Sequence, residues 1–530
     1  MTTEPTTPLA ARLVQASQAA CQRFNIRAIR EERLADALSG AIDPRKLIDN
    51  LAEAWRTSPD KAQAILEEHG FGAILARLQP AITAGSANEV RGEPLCGDAV
   101  LKIADGHISV RTLNPVCNEP VTAPQPVLDA VSKSLAAFLP NAAKDVLGVL
   151  YRDKPAAYAA RFLREDAPRI DGYVRESFGT AGPRYLVNSG IGANEQFNYF
   201  VAALANARPD RRVTWLLANS PKGIAHLPAD ATVDNTLFME FSRSGITEET
   251  VKLHEFTPRQ AKRVVFANTG PLKALAERDH NLLLELPSEV SGRYGRNKTP
   301  ILMAPMHVAG LDVAAYWSII QRACETMNLA DRSAPPVVLA QFIRLQQLRH
   351  GINHIYLGTN DRLLTCSADE FCQYWNEGVN RDGNDITMSR YLGLPRDSHM
   401  NLEAILGTSE HKLAVFLLRA GPVGQHAMLS PQADSHNPAH AGLTPADTDL
   451  VLTLANAKRC SEKMPTVLIA VDRIDLAASA WLGQLWADTT LVYSRMLGLD
   501  PGSNPEVKAV RTRAAEWLSD KAAAFSVLGG

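Results

Sequence analysis

The sequence predicts an α/β fold with two doubly wound parallel sheets, preceded by an N-terminal helical extension and followed by a C-terminal helical arm. Two observations carry this prediction. Short apolar segments alternate with helix-length segments between about residues 184 and 286, and a second set follows between about 354 and 471. Helical periodicity over about 303–350 separates the two sets. This alternation is typical of parallel sheets covered by helices on both faces.

The strands are predicted from short apolar runs, and the helices from 3.6-residue periodicity. The first set of strands covers residues 184–188, 212–217, 237–241, 264–267 and 282–286, and the second covers 354–357, 413–418 and 466–471. Helices at about 477–497 and 505–525 close the chain. We therefore divide the chain into a helical extension (1–95), a first α/β domain (96–300), a second α/β domain (301–500) and a C-terminal helix (501–530).

Composition limits the classes of partner. The chain has 530 residues, of which 46% are apolar and 21% charged, with a formal net charge of −2. Since there is no strongly basic field, neither nucleic acid nor an anionic membrane is an expected partner. No apolar run approaches 18 residues, and the N-terminus lacks a basic segment followed by an apolar one. These features predict a cytoplasmic protein without a signal peptide.

Cysteine spacing predicts neither a disulfide framework nor a zinc site. The seven cysteines are widely scattered and form no Cys-x-x-Cys pair, which is typical of reduced thiols in a cytoplasm. His426, His436 and His440 lie in a stretch that contains proline, serine and asparagine. Metal binding there stays open, although a solvated or substrate-covering loop is favoured because the spacing matches no ligand pattern.

The segment Phe241–Thr250 predicts a phosphate site. It follows an apolar strand and precedes a helix-compatible segment. Free N–H groups of a first helical turn point at an anion, and the hydroxyls of Ser242, Ser244 and Thr247 add donors, with Arg243 adding charge nearby. An ordinary capped helix is the alternative interpretation of the same residues.

Three further segments carry candidate chemistry. Gly192 and Asn194 lie in a glycine turn between a strand and a helix, a weak signal that is often only a βα turn. Arg293 lies in a loop after a strand, where a fixed positive charge suits an oxyanion or simply the surface. Glu377 ends an amphipathic helix upstream of His399, and a carboxylate near a histidine serves proton transfer at carbon.

Together these segments resemble the phosphoglucose isomerase family, whose members are built from two sugar-isomerase (SIS) domains. The resemblance covers about residues 180–515. Gly190–Asn194 is similar to the family's Gly-Ile-Gly-Gly-Ser turn, Ser242–Thr250 to its Ser-Lys-Thr-x-Thr-Thr-x-Glu-Thr phosphate loop, and Ser291–Tyr294 to its Gly-Gly-Arg-Phe/Tyr loop. The resemblance implies that Arg293 is the catalytic arginine.

The second half of the chain continues the resemblance. Gln373–Asn380 is similar to the family's Gln-x-x-x-Glu-Ser-x-Gly-Lys segment, which implies that Gln373 lines the site and that Glu377 is the catalytic base. Asp397–His399 is similar to the segment that carries the ring-opening histidine, which implies this role for His399. Gly498–Arg511 aligns without gaps to Gly-Val-Asn-Pro-Phe-Asp-Gln-Pro-Gly-Val-Glu-x-x-Lys.

This last alignment contains the main departure from the family. The family's active-site lysine falls on Arg511, and its nearby glutamine falls on Asn504. Arginine keeps its proton in proteins, so Arg511 donates hydrogen bonds but does not cycle as an acid and a base. Lys508, one helical turn earlier, is an alternative to Arg511 for this role.

The resemblance implies an aldose–ketose isomerase that acts on a sugar phosphate, with glucose 6-phosphate and fructose 6-phosphate as the first candidates. This chemistry requires no cofactor and no metal. It also implies a homodimer in which the ring-opening histidine crosses the interface. Two alternatives stay open: an isomerase of another anionic hexose, such as a differently configured or 6-sulfonated one, and a sugar-phosphate-binding regulator without catalysis. The replacements at Arg511 and Asn504 and the non-standard Ala193-Asn194 keep the first alternative open, and the retention of Glu377 argues against the second.

Overall fold

A computed structural model describes residues 100–104, 107–113, 125–287, 292–380, 384, 386–394, 397–407, 410–421, 444–502 and 505–527. The helical extension predicted for residues 1–95 lies outside the described residues. Within the described part, no helix has the length and hydropathy needed to span a bilayer.

The first sheet confirms the five predicted strands of the first set. With strands numbered along the chain, they are β3 (Tyr185–Ser189), β4 (Thr214–Ala218), β5 (Thr236–Phe241), β6 (Lys262–Phe266) and β7 (Leu282–Leu284). All five are parallel, in the order β4-β3-β5-β6-β7. The chain runs from β3 outwards to β4 and then returns to β5 on the other side of β3. The sheet therefore has a topological switch point between β3 and β5, where doubly wound folds bind their ligands.

The second sheet has six strands, three more than the sequence predicted. They are β1 (Val100–Ile103), β2 (Ile108–Leu113), β8 (His354–Thr359), β9 (Thr387–Gly393), β10 (Lys412–Arg419) and β11 (Thr466–Val471). Their order is β1-β2-β11-β10-β8-β9, and the four strands β11, β10, β8 and β9 are parallel. The hairpin β1–β2 adds to β11 in antiparallel fashion. A segment that we assigned to the first domain (96–300) thus completes the second sheet.

Helices cover both sheets and join them. Among the described residues, four precede β3: α1 (Gln125–Ala142), α2 (Val146–Arg152), α3 (Pro155–Glu165) and α4 (Ala167–Phe178). Four connect the strands of the first sheet: α5 (Ala193–Ala207), α6 (Pro221–Ile224), α7 (Glu248–Phe256) and α8 (Gly270–Arg278). Three lie between the sheets in the sequence: α9 (Pro300–Val308), α10 (Val313–Thr326) and α11 (Pro335–His350). The predicted helical region at 303–350 is thereby confirmed.

Six helices follow β8 in the part of the chain that the structure describes. They are α12 (Arg362–Val379), α13 (Ser398–Gly407), α14 (Pro445–Ser461), α15 (Leu476–Met496), α16 (Pro505–Ser519) and α17 (Lys521–Ser526). The last three agree with the helices predicted at 477–497 and 505–525. Helix α15 is buried on nearly every side and packs against α10, α11 and α12. Its buried polar residues, such as Gln484 and Asp488, therefore need partners on the neighbouring helices.

A buried polar cluster fastens α7 to the first sheet. His254 on α7 places Nδ1 2.6 Å from Oε2 of Glu240 on β5, and its Nε2 lies 3.3 Å from Oδ2 of Asp279. Arg263 on β6 contacts the other oxygen of Glu240 at 3.3 Å. The side chains of His254, Glu240 and Arg263 are fully buried. Because buried charges are tolerated only when paired, this cluster fixes how α7 sits on the strands.

We expect Glu240→Ala to lower the free energy of unfolding by about 3–5 kcal/mol, because it leaves the buried Arg263 charge without its carboxylate. Chemical denaturation of the purified variant measures this change. The control is Glu462→Ala, which removes an exposed ion pair with Arg459 and should cost less than about 1 kcal/mol. Equal losses in the two variants would contradict the assignment.

Candidate active site

The turn after β3 brings the first sheet to helix α12 of the second half. Gly192 has φ +64° and precedes α5. A Cβ atom at Gly192 would lie 3.0 Å from Nε2 of Gln373, so this turn packs directly on α12. Asn194, in the first turn of α5, donates from Nδ2 to the carbonyl oxygen of Phe241 at 3.0 Å. The turn after β3 is thereby tied both to α12 and to the end of β5.

The turn after β5 has the geometry of an anion site. Ser242 Oγ donates to Thr247 Oγ1 at 2.9 Å, and both side chains are buried. Thr247 is the N-cap residue of α7, but its side chain makes no capping hydrogen bond. The first-turn N–H groups of α7 therefore point out of the helix without a cap from this residue, as an anion site requires. Ser244 is exposed and Arg243 is half-buried at the same turn.

Gly245 allows the chain to close this turn. Its φ is +65°, and a Cβ atom there would overlap the carbonyl oxygen of Thr269. The Gly245 N–H donates to the Ser242 carbonyl at 2.8 Å, and its own carbonyl accepts from Leu272 N–H at 3.1 Å. A residue with a side chain would meet both a strained backbone conformation and the neighbouring loop.

Arg293 and Glu377 form an ion pair at the end of α12. Arg293 is 3% exposed, and its Nη2 lies 3.1 Å from Oε2 of Glu377 and 2.8 Å from the carbonyl oxygen of the same residue. Gln373 donates from Nε2 to the other carboxylate oxygen at 3.0 Å. The carboxylate is thus oriented by two donors, while 26% of the Glu377 side chain stays exposed. A fixed carboxylate beside a fixed guanidinium combines a proton acceptor with a stabiliser of negative oxygen.

The C-terminal arm begins at this ion pair. Arg293 donates from Nη1 to the carbonyl oxygen of Pro501 at 2.9 Å. A Cβ atom at Gly378 would lie 3.6 Å from the Pro501 side chain. From Pro501 the chain enters α16, which packs against α7. Helix α7 follows the turn Ser242–Thr247, which we call the anion turn. The two turns of the first sheet, the end of α12 and the start of the arm therefore form one contiguous region.

The structure brings together most of the residues predicted from the sequence. Contacts link Gly192, Asn194 and Gln373 with Glu377 and Arg293, and the end of β5 joins the turn that carries Ser242, Arg243, Ser244 and Thr247. His399 lies in the first turn of α13, after Asp397, whose carboxylate accepts from Gly393 N–H at 2.7 Å. The described residues do not include Asn504 or the side chains of His399 and Lys508.

Two further predictions have different outcomes. Arg511 is exposed on α16, so its position in the site stays a prediction. The histidines His426, His436 and His440 lie outside the described residues. Among the residues that the structure does describe, no three histidine, cysteine or acidic side chains are grouped as metal ligands would be.

Sequence reasoning missed a second ion pair beside the first. Arg296, three residues after Arg293, contacts Glu370, seven residues before Glu377, with Nη1 2.6 Å from Oε1. Both side chains are buried. The signal was present in the spacing, because residues seven apart on a helix share a face and thus a neighbour. The residues around Arg296 are polar or glycine, so the local sequence gives no indication that this arginine is buried.

Curated relatives support the resemblance stated from the motifs. The chain is 31% identical over 160 residues to glucose-6-phosphate isomerase of Rubrobacter xylanophilus, a match that covers 29% of this chain and 36% of that protein. It is 28% identical over 296 residues to a probable glucose-6-phosphate isomerase of Halobacterium salinarum, covering 52% and 66%. The matches thus span less than two thirds of these relatives. No family model matches the chain.

Solved structures share the fold. A hypothetical protein of Thermus thermophilus superposes with a TM-score of 0.61 at 19% identity, covering 77% of this chain and 99% of that one. A glucose-6-phosphate isomerase of Chlamydia trachomatis gives the same TM-score at 11% identity, covering 78% and 89%. The comparisons confirm the predicted fold class and the resemblance of this divergent chain to the phosphoglucose isomerase family.

The anion turn can be tested by inorganic phosphate binding. We expect Gly245→Ala to weaken phosphate binding at least about tenfold, because the backbone conformation and the overlap with Thr269 force the turn open. Isothermal titration measures the affinity. Ile246→Ala is the matched control, since this neighbouring side chain is 64% exposed and contributes no polar group. Unchanged phosphate affinity in Gly245→Ala would show that the turn is only a helix start.

Proposed function

We propose that the protein interconverts an aldose phosphate and a ketose phosphate through an enediolate intermediate. The observation that carries the proposal is the oriented carboxylate of Glu377, held by Arg293 at 3.1 Å and by Gln373 at 3.0 Å beside an anion turn. This arrangement supplies a base, an oxyanion stabiliser and a phosphate anchor within one contiguous region.

Each step has a residue suited to it. The Ser242–Thr247 turn and the N-terminus of α7 bind the phosphate and leave C1 and C2 of the open-chain sugar near Glu377. Glu377 removes the proton from C2 of the aldose and delivers it to C1 as the ketose forms, while the hydroxyl proton on O2 moves to O1. Arg293 stabilises the negative oxygen that develops between these two events, and its fixed charge needs no reorganisation as the reaction proceeds. His399 assists ring opening.

Glucose 6-phosphate and fructose 6-phosphate are the first candidate substrates, because the curated relatives carry the name glucose-6-phosphate isomerase. Another anionic hexose is the second candidate, favoured by the replacements at Arg511 and Asn504. We further propose that the protein works as a homodimer. A coupled assay over hexose 6-phosphates and 6-sulfonates separates the two substrate classes, and ligand binding without turnover would indicate a regulator instead.

The role of Glu377 can be tested by isotope exchange. We expect Glu377→Gln to slow exchange of the substrate C2 proton with solvent by about 100- to 10,000-fold, because the amide cannot accept the proton. Proton NMR in deuterated buffer follows the exchange, and substrate affinity should change little because the phosphate anchor lies elsewhere. The control is Glu403→Gln, an exposed position on α13. Exchange at the wild-type rate in Glu377→Gln would remove this residue from the role of base.

The role of Arg511 can be tested by restoring the family's lysine. If glucose 6-phosphate is the substrate, we expect Arg511→Lys to raise kcat/KM for it. If the site is adapted to another sugar, the same change should lower kcat/KM for that sugar and raise it for glucose 6-phosphate, since the rigid guanidinium and the compact ammonium fit different hydroxyl patterns. Unchanged kinetics on every sugar of the panel would exclude Arg511 from the site, in agreement with its exposed position.

A further inference from the structure

A second arginine–glutamate pair lies directly behind the first. Arg296 Nη1 is 2.6 Å from Glu370 Oε1, and the two side chains are each 3% exposed. Burial raises the pKa of Glu370 to about 7, although the adjacent Arg296 opposes this rise. Neither side chain touches the solvent-open face where Glu377 lies. The pair is therefore a buried group that the proposed chemistry does not use.

Arg296 is fixed from several sides. Its Nη2 donates to the Tyr316 hydroxyl on α10 at 2.5 Å and to the Ser479 carbonyl on α15 at 3.0 Å. Its guanidinium carbon lies 6.0 Å from the centre of the Phe197 ring on α5. With Glu370 on α12, four helices that belong to both halves of the molecule contact this one side chain.

A glycine makes room for the guanidinium. A Cβ atom at Gly483 on α15 would overlap Nη1 of Arg296. This glycine lies in the interior of a long helix, where glycine costs roughly 1 kcal/mol relative to alanine. The position of Arg296 therefore requires a glycine at position 483, although glycine has the lowest helix propensity of any residue except proline.

The two ion pairs are in register. Arg293 and Arg296 are three residues apart around a short 3-10 turn, Gly292–Gly295. Glu377 and Glu370 are seven residues apart, two turns along the same face of α12. The segment that carries the two arginines thus runs along α12, with the Arg296–Glu370 pair buried and the Arg293–Glu377 pair at the partly exposed end. Moving the buried pair moves the backbone that carries Arg293.

We propose that Arg296, Glu370 and Gly483 are positioning residues that set the distance between Arg293 and Glu377. The predicted fall in kcat rests on the proposed function. The predicted change in the Arg293–Glu377 distance rests on the ion-pair geometry alone. Arg293 needs such support because an oxyanion stabiliser acts through a geometry that is fixed before the reaction. A shift of about 1 Å in such a group costs on the order of 100-fold in rate.

Gly483→Ala is the primary test. We expect the added methyl to displace Arg296 from Glu370, to lengthen the Arg293–Glu377 contact in a crystal structure by about 1 Å, and to lower kcat about 100-fold. KM and the affinity for inorganic phosphate should stay within about twofold, because the anion turn is not touched. Gly172→Ala is the matched control, since this glycine also lies inside a helix but has no atom within 4 Å of an added Cβ.

A second variant keeps the proposal falsifiable if Gly483→Ala does not fold. Glu370→Gln preserves shape and a hydrogen-bond acceptor but leaves Arg296 without a charge partner, and kcat should fall about tenfold with KM unchanged. Lowered thermal stability with unchanged kcat in the variant that folds would overturn the proposal, because it would show a merely structural pair. An Arg293–Glu377 contact that keeps its 3.1 Å length in the variant's crystal structure would overturn it too.

Failure of the proposed function gives a different result. It would appear as a wild-type protein that isomerises no sugar in the panel. The crystal structures of Gly483→Ala and Glu370→Gln would still report whether the buried pair controls the exposed one.

Discussion

The candidate site depends on one constraint: the polar segment Arg293–Thr299 runs buried among helices that belong to both halves of the molecule. Such a segment is costly to desolvate unless each charged and polar group finds a partner. Arg293 and Arg296 find glutamates on α12. Asn297 donates to the carbonyl of Tyr151 at 3.1 Å and to Gln484 Oε1 at 2.8 Å, and its carbonyl accepts from Trp317. These partners lie on several different helices, so satisfying the segment fixes the helices around it.

This constraint explains how the side chains of the site are held in a fixed geometry although they come from distant parts of the chain. The turns after β3 and β5 belong to the first sheet, and Glu377 belongs to a helix of the second half. Direct contact between the halves at Gly192 and Gln373 would alone leave the orientation of Glu377 free. The segment that carries Arg293 adds the missing restraint, because it holds Glu377 from one side while Gln373 holds it from the other.

The sequence predicted the parts of the structure whose signals are local. Parallel strands such as β5 and β10 are continuous apolar runs, and the hydroxyl-rich segment after β5 indicated the turn that leads into α7. The hairpin β1–β2 and strand β9 were missed because polar residues interrupt their apolar runs, and because β2 and β9 also pair with strands remote in sequence. The pair of Arg296 and Glu370 was missed for the same reason: a buried charge is recognisable only by its partner, and 74 residues separate the two.

The arm after α15 shows how far this coupling extends. The carbonyl oxygen of Pro501 accepts a hydrogen bond from Nη1 of Arg293, while Nη2 of the same guanidinium contacts Glu377. The chain that leads into α16 is therefore held by the guanidinium that faces the base. Helix α16 in turn packs against α7, which His254 fastens to the first sheet. We expect a substitution on α16 to act on the base and on the anion turn through this packing. On this view the replacement at Arg511 does not need to touch a sugar to change which sugar fits, because it lies on α16, the helix that packs against α7.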